Sequence, residues 1–384
     1  MKQNYDVIII GAGSVGVPTA LALAKNNIEV LVIDELASVG QGNNKKAIGG
    51  IRATHSDYGK IKIGQRSLEI FSNWEKEYGD DIGWQQNGYS YPAYTEKDEK
   101  MLKDLMKIQR SFGLNIEWLS PEKYNKLVPG INMESLRGST FSPEDGSASP
   151  LLAINSFYFK SKELGADYHF GEKVLDIATQ NEKVVGVRTD CGKYSCKYVV
   201  NAAGNFAKEI GKMVNLDLPV QPDCHEAAIT EPVKPFFQPM VVDMRPAADS
   251  ANYYFYQNNE GQVVFCITPD PPILGTCNES TSHFFPQVAK RMVGLYPRLA
   301  NLKVRRAWRG QYPMTPDGFP IVGTVQQLEG YINAVGMCGQ GFMLGPGLGE
   351  LISRIISDSK NLDDDKILES FDINRDFSGT EKFK

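Results

Sequence analysis

The segment GAGSVG, which begins at Gly11, has the three-glycine spacing of a dinucleotide-binding turn. It follows the apolar run VIII and precedes the helix-like run VPTALALAKNN. In such a turn, Gly11 allows the sharp bend, Gly13 lets the backbone approach a diphosphate, and Gly16 lets the helix pack closely on the strand. Ser14 and Val15 complete the turn, which presents its N–H groups at the positive end of a helix.

Asp34 ends a second apolar run, EVLVID, eighteen residues after Gly16. A carboxylate at this place accepts hydrogen bonds from both hydroxyls of an adenosine ribose. Strand, turn, helix, second strand and terminal acid together predict a dinucleotide site. NAD and FAD share the ADP half, so this motif does not distinguish them.

A second glycine-rich segment, GMCGQGFMLGPGLGELIS, begins at Gly336 and also leads into a helix-like run. A helix N-terminus stabilises the negative charge that a flavin ring develops on reduction, whereas a nicotinamide cofactor needs no second site of this kind. YVVNAAG adds a buried strand whose small residues, Ala203 and Gly204, suit packing near an adenosine. FAD is therefore the predicted cofactor. The second segment contributes the predicted cofactor contacts Gly339, Gln340, Gly341, Phe342 and Met343.

The elements around these motifs predict an α/β protein with a Rossmann-like FAD-binding domain and an antiparallel substrate sheet. Residues 58–78 have the apolar spacing of an amphipathic helix. HEAAITE, PMVVDM, NYYFYQN and GQVVFCI read as strands separated by short turns. We expect a discontinuous FAD-binding domain and an inserted substrate domain. The first comprises residues 1–90, 145–218 and 312–384, and the second comprises residues 91–144 and 219–311.

Composition excludes several classes of function. The 384-residue chain is 42% hydrophobic with a net charge of −5 and no basic block, which argues against nucleic acid and anionic membrane surfaces as partners. The first apolar run is too short for a signal peptide, and no run is long enough for a membrane helix. Six cysteines make no disulfide framework, and Cys191 with Cys196 lacks a second ligand pair for a metal. We expect a cytoplasmic protein without a metal site.

Six segments in matching order resemble the glycine oxidase and sarcosine oxidase family of FAD-dependent enzymes, which are D-amino acid oxidase-like. They are IIIGAGSVGVPTALALA, GGIRATHSDYGKIKIGQRSLEIF, YVVNAAGNFA, HEAAITEP, RAWRGQYPMTPDGFPIVG and GMCGQGFMLGPGLGE. The likeness is greatest to the β subunits of heterotetrameric sarcosine oxidase and to dye-linked L-proline dehydrogenase. The resemblance implies oxidation of the C–N bond of an amino acid or N-alkyl amino acid. Hydride passes to flavin N5 and leaves an imine.

The resemblance also implies site residues. Arg52, after two glycines, matches a position that binds the substrate carboxylate, and a planar guanidinium suits a carboxylate; a surface salt bridge is the alternative. Tyr312 and Tyr253 resemble aromatic residues of the substrate cavity, although aromatics in strands are also common core residues. Tyr254 rivals Tyr253, because a shift of one residue exchanges the two faces of a strand. Further flavin contacts are implied at Gly49, Gly50, Val174 and Gly310.

Two sites remain open between a functional and a structural role. His225 opens the strand HEAAITE, where related β subunits also have histidine, and it serves either as a contact of substrate or flavin or as a structural side chain. Lys45 and Lys46 fall in a segment that resembles a flavin-contacting loop. Their charge either favours reduced flavin or is simply solvated.

The sequence departs from the monomeric sarcosine oxidases at three places. The cysteine that attaches flavin there corresponds to Gly310, so non-covalent FAD is expected. The lysine that helps to hold the carboxylate corresponds to Met343, which favours a compact apolar substrate such as L-proline or sarcosine over a diacid; glycine and D-amino acids rank next. The lysine that promotes reaction with oxygen falls in VVFCI, which has no charge. This difference predicts a dehydrogenase that uses a dye, a quinone or a partner subunit as acceptor.

Two other functions remain alternatives. One is an FAD-dependent 2-hydroxy acid dehydrogenase, for which His225 would be the base. The other is a flavin-holding subunit that is inactive without its partners. The sequence leaves open the amine, its stereochemistry, the electron acceptor and the oligomeric state.

Overall fold

The computed structural model of the protein describes residues 2–381. Its strands are β1 (Val7–Ile10), β2 (Val30–Asp34), β3 (Gly50–Ile51), β4 (Tyr89–Ala93), β5 (Glu117–Leu119), β6 (Gly138–Ser142), β7 (Gly146–Ser147), β8 (Asp167–Phe170), β9 (Val174–Gln180), β10 (Lys183–Thr189), β11 (Lys193–Ser195), β12 (Tyr198–Asn201), β13 (Gln221–Thr230), β14 (Met240–Asp243), β15 (Ser250–Gln257), β16 (Val263–Pro269), β17 (Val304–Met314), β18 (Ile321–Val325) and β19 (Leu328–Val335). Its α-helices are α1 (Gly16–Lys25), α2 (Tyr58–Tyr78), α3 (Glu96–Ser111), α4 (Pro121–Leu127), α5 (Pro150–Glu163), α6 (Ala207–Lys212), α7 (Phe284–Leu295), α8 (Gly341–Ile356) and α9 (Asp364–Phe371).

The first sheet has the order β11-β10-β19-β12-β1-β2-β8, with β9 paired to β10 and β18 paired to β19. The neighbours from β19 to β8 are parallel. The predicted βαβ opening is confirmed, because α1 connects the parallel strands β1 and β2. All four residues of β1 are buried, as expected for a parallel sheet that is covered on both faces.

The second sheet has the order β17-β13-β16-β15-β14-β4-β6-β5 and is antiparallel except between β14 and β4. Successive side chains of a strand point to opposite faces. One face of this sheet buries Tyr253, Phe255 and Phe265 in a cluster with Phe284 and Val288 of α7. The opposite face is therefore free to line a cavity. The prediction of an α/β protein with a second, largely antiparallel sheet is confirmed.

The two sheets draw on alternating parts of the chain, and we propose that they mark the two domains. The first sheet uses strands between residues 7 and 34, 167 and 201, and 321 and 335, whereas the second uses strands between residues 89 and 142 and between residues 221 and 314. The predicted boundaries at 90/91 and 311/312 cut through β4 and β17. Both of these strands are paired within the second sheet.

Helices α1 and α8 pack closely because glycines of α8 face the backbone of α1. A Cβ atom at Gly345 would lie 1.8 Å from the carbonyl oxygen of Ser14, and one at Gly349 would lie 2.7 Å from the backbone of Pro18. This contact sets the distance between the first turns of the two helices. Within residues 2–381, no helix combines the length and hydropathy needed to cross a membrane.

Replacing Gly345 by alanine should lower the free energy of unfolding by about 3 kcal/mol, because the new methyl group would overlap the carbonyl oxygen of Ser14 in the turn before α1. The matched control is Gly294→Ala in α7, where a Cβ atom meets nothing within 4 Å. That change should be neutral or stabilise by up to about 1 kcal/mol. Urea unfolding of both FAD-loaded variants measures the difference. Equal unfolding midpoints would contradict the close α1–α8 contact.

Candidate active site

A cavity of about 940 Å³ is lined by residues of both sheets. It extends from Asp34 and Leu36, at the end of β2, to Arg52, Tyr254 and Tyr312. Ligand pockets have volumes of roughly 300–1,000 Å³, so this cavity is at the large end of that range. The volume suits a dinucleotide together with a small substrate.

The glycine turn borders the cavity at its Asp34 end. Gly11 has φ of +110°, and a Cβ atom there would lie 2.5 Å from the carbonyl oxygen of Ala202. A Cβ atom at Gly16 would lie 1.9 Å from the carbonyl oxygen of Gly11, so the helix begins directly on the turn. A Cβ atom at Gly13 meets no protein atom within 4 Å. The open space in front of Gly13 is where a diphosphate fits against backbone N–H groups.

Asp34 connects this turn to the end of β2. Its Oδ2 accepts a hydrogen bond from the N–H of Ala12 at 2.7 Å, and its Oδ1 accepts one from the N–H of Leu36 at 2.8 Å. Burial raises the pKa of the Asp34 carboxyl, while these two N–H groups oppose the rise. The carboxylate thus holds the turn in shape and also lines the cavity.

The second helix N-terminus meets the first at Ser14. Helix α8 begins at Gly341, where a Cβ atom would lie 3.2 Å from Ser14 Oγ. Gly339 just before it has φ of +78°, and a Cβ atom there would lie 2.4 Å from the ring of Tyr312. Helices α1 and α8 therefore direct two positive N-terminal ends at one cavity.

The second sheet lines the cavity with alternate residues of neighbouring strands. Met240, Val242 and Met244 line it from the β14 side, and Tyr254 lies on β15 opposite Val242. Tyr253 lies on the other face, where its hydroxyl donates to the carbonyl oxygen of Arg291 at 3.0 Å. The structure thus places Tyr254, and not Tyr253, in the cavity wall. From β4, Tyr89 and Tyr91 also line the cavity.

Tyr312 lies at the centre of a stack of side chains. Its hydroxyl is 2.7 Å from that of Tyr254, and its ring stacks on His225 with centroids 3.8 Å apart. His225 Nε2 lies 3.1 Å from Asp223 Oδ2. His225 is therefore covered by Tyr312 and does not line the cavity. Burial raises the pKa of Tyr254 and of Tyr312 well above 10, so both phenols stay protonated.

Arg52 reaches the cavity from the segment that follows β3, and only 7% of its surface is exposed. Its Nη1 donates to the carbonyl oxygen of Thr54 and lies 3.1 Å from His55 Nδ1. Burial and the charge of Arg52 lower the pKa of His55 well below its usual value, so this histidine is neutral and accepts the hydrogen bond. The buried guanidinium is a cation placed for an anionic ligand.

Two glycines and two lysines complete the wall near Arg52. A Cβ atom at Gly50 would lie 1.9 Å from the hydroxyl of Tyr89, so only glycine fits there. Lys46 Nζ donates to Gln311 Oε1 at 3.2 Å and to Asn278, and burial lowers the pKa of Lys46. Lys45 Nζ donates to Gln41 Oε1 at 3.0 Å. Both lysines therefore have partners within the protein, and both line the cavity.

The cavity brings together most of the residues that the sequence singled out. Those that line it are Gly11, Gly13, Ser14, Val15, Asp34, Lys45, Lys46, Gly49, Gly50, Arg52, Val174, Ala203, Gly204, Gly310, Tyr312, Gly339, Gln340, Gly341, Phe342 and Met343. Gly16, His225 and Tyr253 do not line it. Sequence reasoning missed Tyr89, Tyr91, Met240, Asn252 and Gln311, which carry no local motif.

The donor set fits FAD. Gly13 and Gly204 both border the cavity with no protein atom within 4 Å of a Cβ position, and the two helix N-termini lie at the same cavity. Neutral backbone that faces open space at helix N-termini suits a diphosphate and a flavin ring. Among residues 2–381, no group of three or more His, Cys, Asp or Glu side chains is arranged to hold a metal ion.

Comparisons with known proteins identify the family. The family model described as "DAO: FAD dependent oxidoreductase" matches residues 6–355. "Sarcosine oxidase subunit beta" of Arthrobacter sp is 26% identical over 365 residues, which cover 94% of this chain and 88% of that protein.

Solved structures share the whole fold. The L-proline dehydrogenase from P. horikoshii superposes with a TM-score of 0.90 at 30% identity, and the match covers 98% of both chains. Glycine oxidase from Geobacillus kaustophilus superposes with a TM-score of 0.86 at 22% identity, over 98% of this chain and 100% of that one. The second likeness is one of fold alone.

Replacing Asp34 by alanine should reduce the bound FAD per chain at least about tenfold. The change removes the hydrogen bonds to the N–H groups of Ala12 and Leu36, and it removes the predicted acceptor for the ribose hydroxyls. The ratio of visible to ultraviolet absorbance after desalting measures this loss. Asp6→Ala, at the opposite end of β1, is the control and should retain FAD. Acid precipitation of the wild type should release all the yellow colour. Full FAD in the Asp34 variant, or colour that stays with the precipitate, would contradict this account.

Proposed function

The chain belongs to the family of FAD-dependent oxidoreductases, and from that premise we propose that it oxidises the C–N bond of an amino acid or N-alkyl amino acid. We place L-proline and sarcosine first among the substrates, and glycine and D-amino acids next. The names of two similar proteins, a sarcosine oxidase subunit and an L-proline dehydrogenase, support this choice. The 30% identity to the latter extends over nearly the whole chain.

The observation that carries the proposal is the buried Arg52 at a cavity wall that is otherwise mainly aromatic and apolar. A guanidinium that is 7% exposed binds a carboxylate more strongly than an uncharged group, because the ion pair forms away from water. Met240, Val242 and Met343 offer no hydrogen-bonding group of comparable strength. A compact amino acid with an apolar remainder fits these surroundings.

Different residues would have different roles in such a reaction. FAD, when bound, supplies the acceptor for the two electrons and the hydrogen that leave the substrate carbon. Arg52 holds the carboxylate and so orients the amine end. Tyr254 and Tyr312, joined by their hydroxyls, close the wall and exclude water. Helix α8 directs its positive end at the cavity, where it favours negative charge.

The histidines of the chain argue against the hydroxy acid alternative. That reaction needs a base for the hydroxyl proton, usually histidine. The chain has four histidines, all within residues 2–381, and none of them lines the cavity. His225 lies beneath Tyr312, and His55 already accepts from Arg52. An amine that binds uncharged needs no such base.

We also propose that electrons pass to an acceptor other than oxygen. Strand β16, whose Thr268 lines the cavity, carries only uncharged residues. A partner subunit, a quinone or a dye would then reoxidise the flavin. The relative from Arthrobacter sp is named as the beta subunit of a sarcosine oxidase, which supports a partner.

Anaerobic mixing tests the proposed function. The FAD-loaded protein is mixed with L-proline, D-proline, sarcosine, glycine and other D-amino acids, and the loss of visible flavin absorbance is followed. L-proline or sarcosine should bleach the flavin, whereas a 2-hydroxy acid such as lactate should not. If none of the amines bleaches it, the chain is better described as a flavin-holding subunit that needs its partners.

The Arg52→Ala variant gives the control for that panel. It should retain FAD but lose roughly 100-fold in kcat/KM, mainly through KM, because a buried cation that pairs with the carboxylate is worth about 3 kcal/mol. Arg52→Lys should fall between, since an ammonium makes only point contacts. Unchanged amino-acid kinetics in Arg52→Ala would show that the carboxylate binds elsewhere.

Reaction with air tests the proposed acceptor. The protein is photoreduced anaerobically and then mixed with oxygenated buffer. Reoxidation should be slow, and a dye such as dichlorophenolindophenol should reoxidise the flavin faster. Rapid reoxidation with one hydrogen peroxide per flavin would show that the protein is an oxidase.

A further inference from the structure

The segment that carries Arg52 depends on a carboxylate that is distant in the sequence. Residues 52–55 follow β3 without regular secondary structure. Asp145, in the turn between β6 and β7, accepts from the N–H of Ala53 at 2.9 Å through Oδ1 and from Thr54 Oγ1 at 3.0 Å through Oδ2. Only 1% of Asp145 is exposed. Its two oxygens therefore fix two successive residues of the segment.

The same segment holds the guanidinium. Arg52 Nη1 donates to the carbonyl oxygen of Thr54, the residue whose hydroxyl donates to Asp145. Because Arg52 is bound to a carbonyl that Asp145 keeps in place, a movement of the Thr54 backbone moves the guanidinium. Asp145 itself does not line the cavity, so it does not contact a ligand there directly.

The charges around Asp145 are few. Arg52 and Thr54 face Asp145 from the segment that follows β3. Tyr89 and Tyr91 face it from β4, and Ser142 faces it from the end of β6. Burial raises the pKa of Asp145 to about 6, while hydrogen bonds from Ala53 and Thr54 and the charge of Arg52 oppose the rise. The tyrosines have a raised pKa and are neutral below pH 9.

A buried ion pair adjoins the segment, and the charge of its carboxylate also acts on Arg52. Lys60 of α2 and Glu381 lie 3.4 Å apart with side chains that are both 0% exposed, and Glu381 Oε1 accepts from the N–H and Oγ of Ser56. His55 is neutral because burial and Arg52 lower its pKa. Asp145 is thus the carboxylate that both acts on Arg52 and binds its segment through two hydrogen bonds, and burial raises its pKa to about 6.

We propose that Asp145 is a positioning residue for carboxylate binding: it fixes the Arg52 segment and supplies a negative charge that a bound carboxylate opposes. The inference rests on the proposed function, because it takes Arg52 as the carboxylate anchor. It assigns to Asp145 two separable effects, one of shape and one of charge. The hydrogen bonds that fix the Arg52 segment strengthen carboxylate binding, whereas the negative charge of Asp145 weakens it.

The charge effect has a definite sign. A carboxylate on Arg52 raises the pKa of Asp145, so binding is accompanied by proton uptake where Asp145 is ionised in the free protein. Affinity is therefore highest when Asp145 is protonated and falls as the pH rises through about 6, by up to about tenfold per pH unit. It becomes constant once the pH exceeds the pKa of Asp145 in the complex.

Two substitutions separate shape from charge. Asp145→Asn keeps an acceptor for the N–H of Ala53 and a donor to Thr54 Oγ1, but removes the charge. Asp145→Ala removes both hydrogen bonds. Asp364→Ala is the control for stability, because Asp364 is also buried and pairs with Arg354, but it does not line the cavity.

The experiment titrates the FAD-loaded full chain with pyrrole-2-carboxylate and follows the flavin absorbance from about pH 5.5 to about pH 8. Pyrrole-2-carboxamide is the uncharged probe. In the wild type the carboxylate should bind more weakly as the pH rises, and the carboxamide should show no such trend. Asp145→Ala should weaken carboxylate binding by roughly 30- to 100-fold with little effect on the carboxamide. Asp364→Ala should match the wild type.

Asp145→Asn gives the sharpest result, because it should bind the carboxylate at least as tightly as the wild type at pH 8 and without the pH dependence. The same pH dependence in Asp145→Asn would overturn the inference even if Asp145→Ala fails to fold. Wild-type affinity in Asp145→Ala would overturn it too. If the wild type binds pyrrole-2-carboxylate no more tightly than pyrrole-2-carboxamide, Arg52 is not the carboxylate anchor. Both proposals then fail together.

Discussion

The contact between helices α1 and α8 is the constraint on which the site depends. Gly345 lets α8 approach the carbonyl oxygen of Ser14, and Gly341 lies against the Ser14 side chain. Two helix N-termini from opposite ends of the chain therefore meet at one cavity. Each carries roughly half a positive charge, which suits a cofactor with a diphosphate at one end and a ring that becomes negative on reduction at the other.

The second sheet lines the cavity through the alternation of its side chains. Because its strands bury Tyr253 and Phe255 against α7, their neighbours must face the cavity. Tyr254 and Tyr312 then meet across the sheet face, and the ring of Tyr312 lies against Gly339, just before helix α8. The two sheets therefore meet at the cavity wall, where we propose that cofactor and substrate meet. Arg52 provides the charge at this wall, and Asp145 keeps it in position.

The sequence predicted what local patterns encode. The glycine turn, the run of small and apolar residues in α1, and helix α2 were recognised from spacing alone. Helices α3 and α4 were missed: α3 lies in a highly charged stretch, and α4 begins at a proline that also signals a turn. Tyr89 and Met240 were missed because pairing between β4 and β14 brings them to the cavity. The sequence of one strand also does not show which face of the sheet Tyr253 lies on, or that the ring of Tyr312 covers His225, because both depend on packing between elements.

A crystal structure of the FAD-loaded chain with pyrrole-2-carboxylate bound would show whether the two helix N-termini hold one cofactor. The diphosphate should lie at the first turn of α1, and the flavin ring should lie between residues 339–343 and the second sheet. The carboxylate should lie on the guanidinium of Arg52. A flavin ring outside this cavity, or a carboxylate held by Lys46 with Arg52 unengaged, would contradict this arrangement.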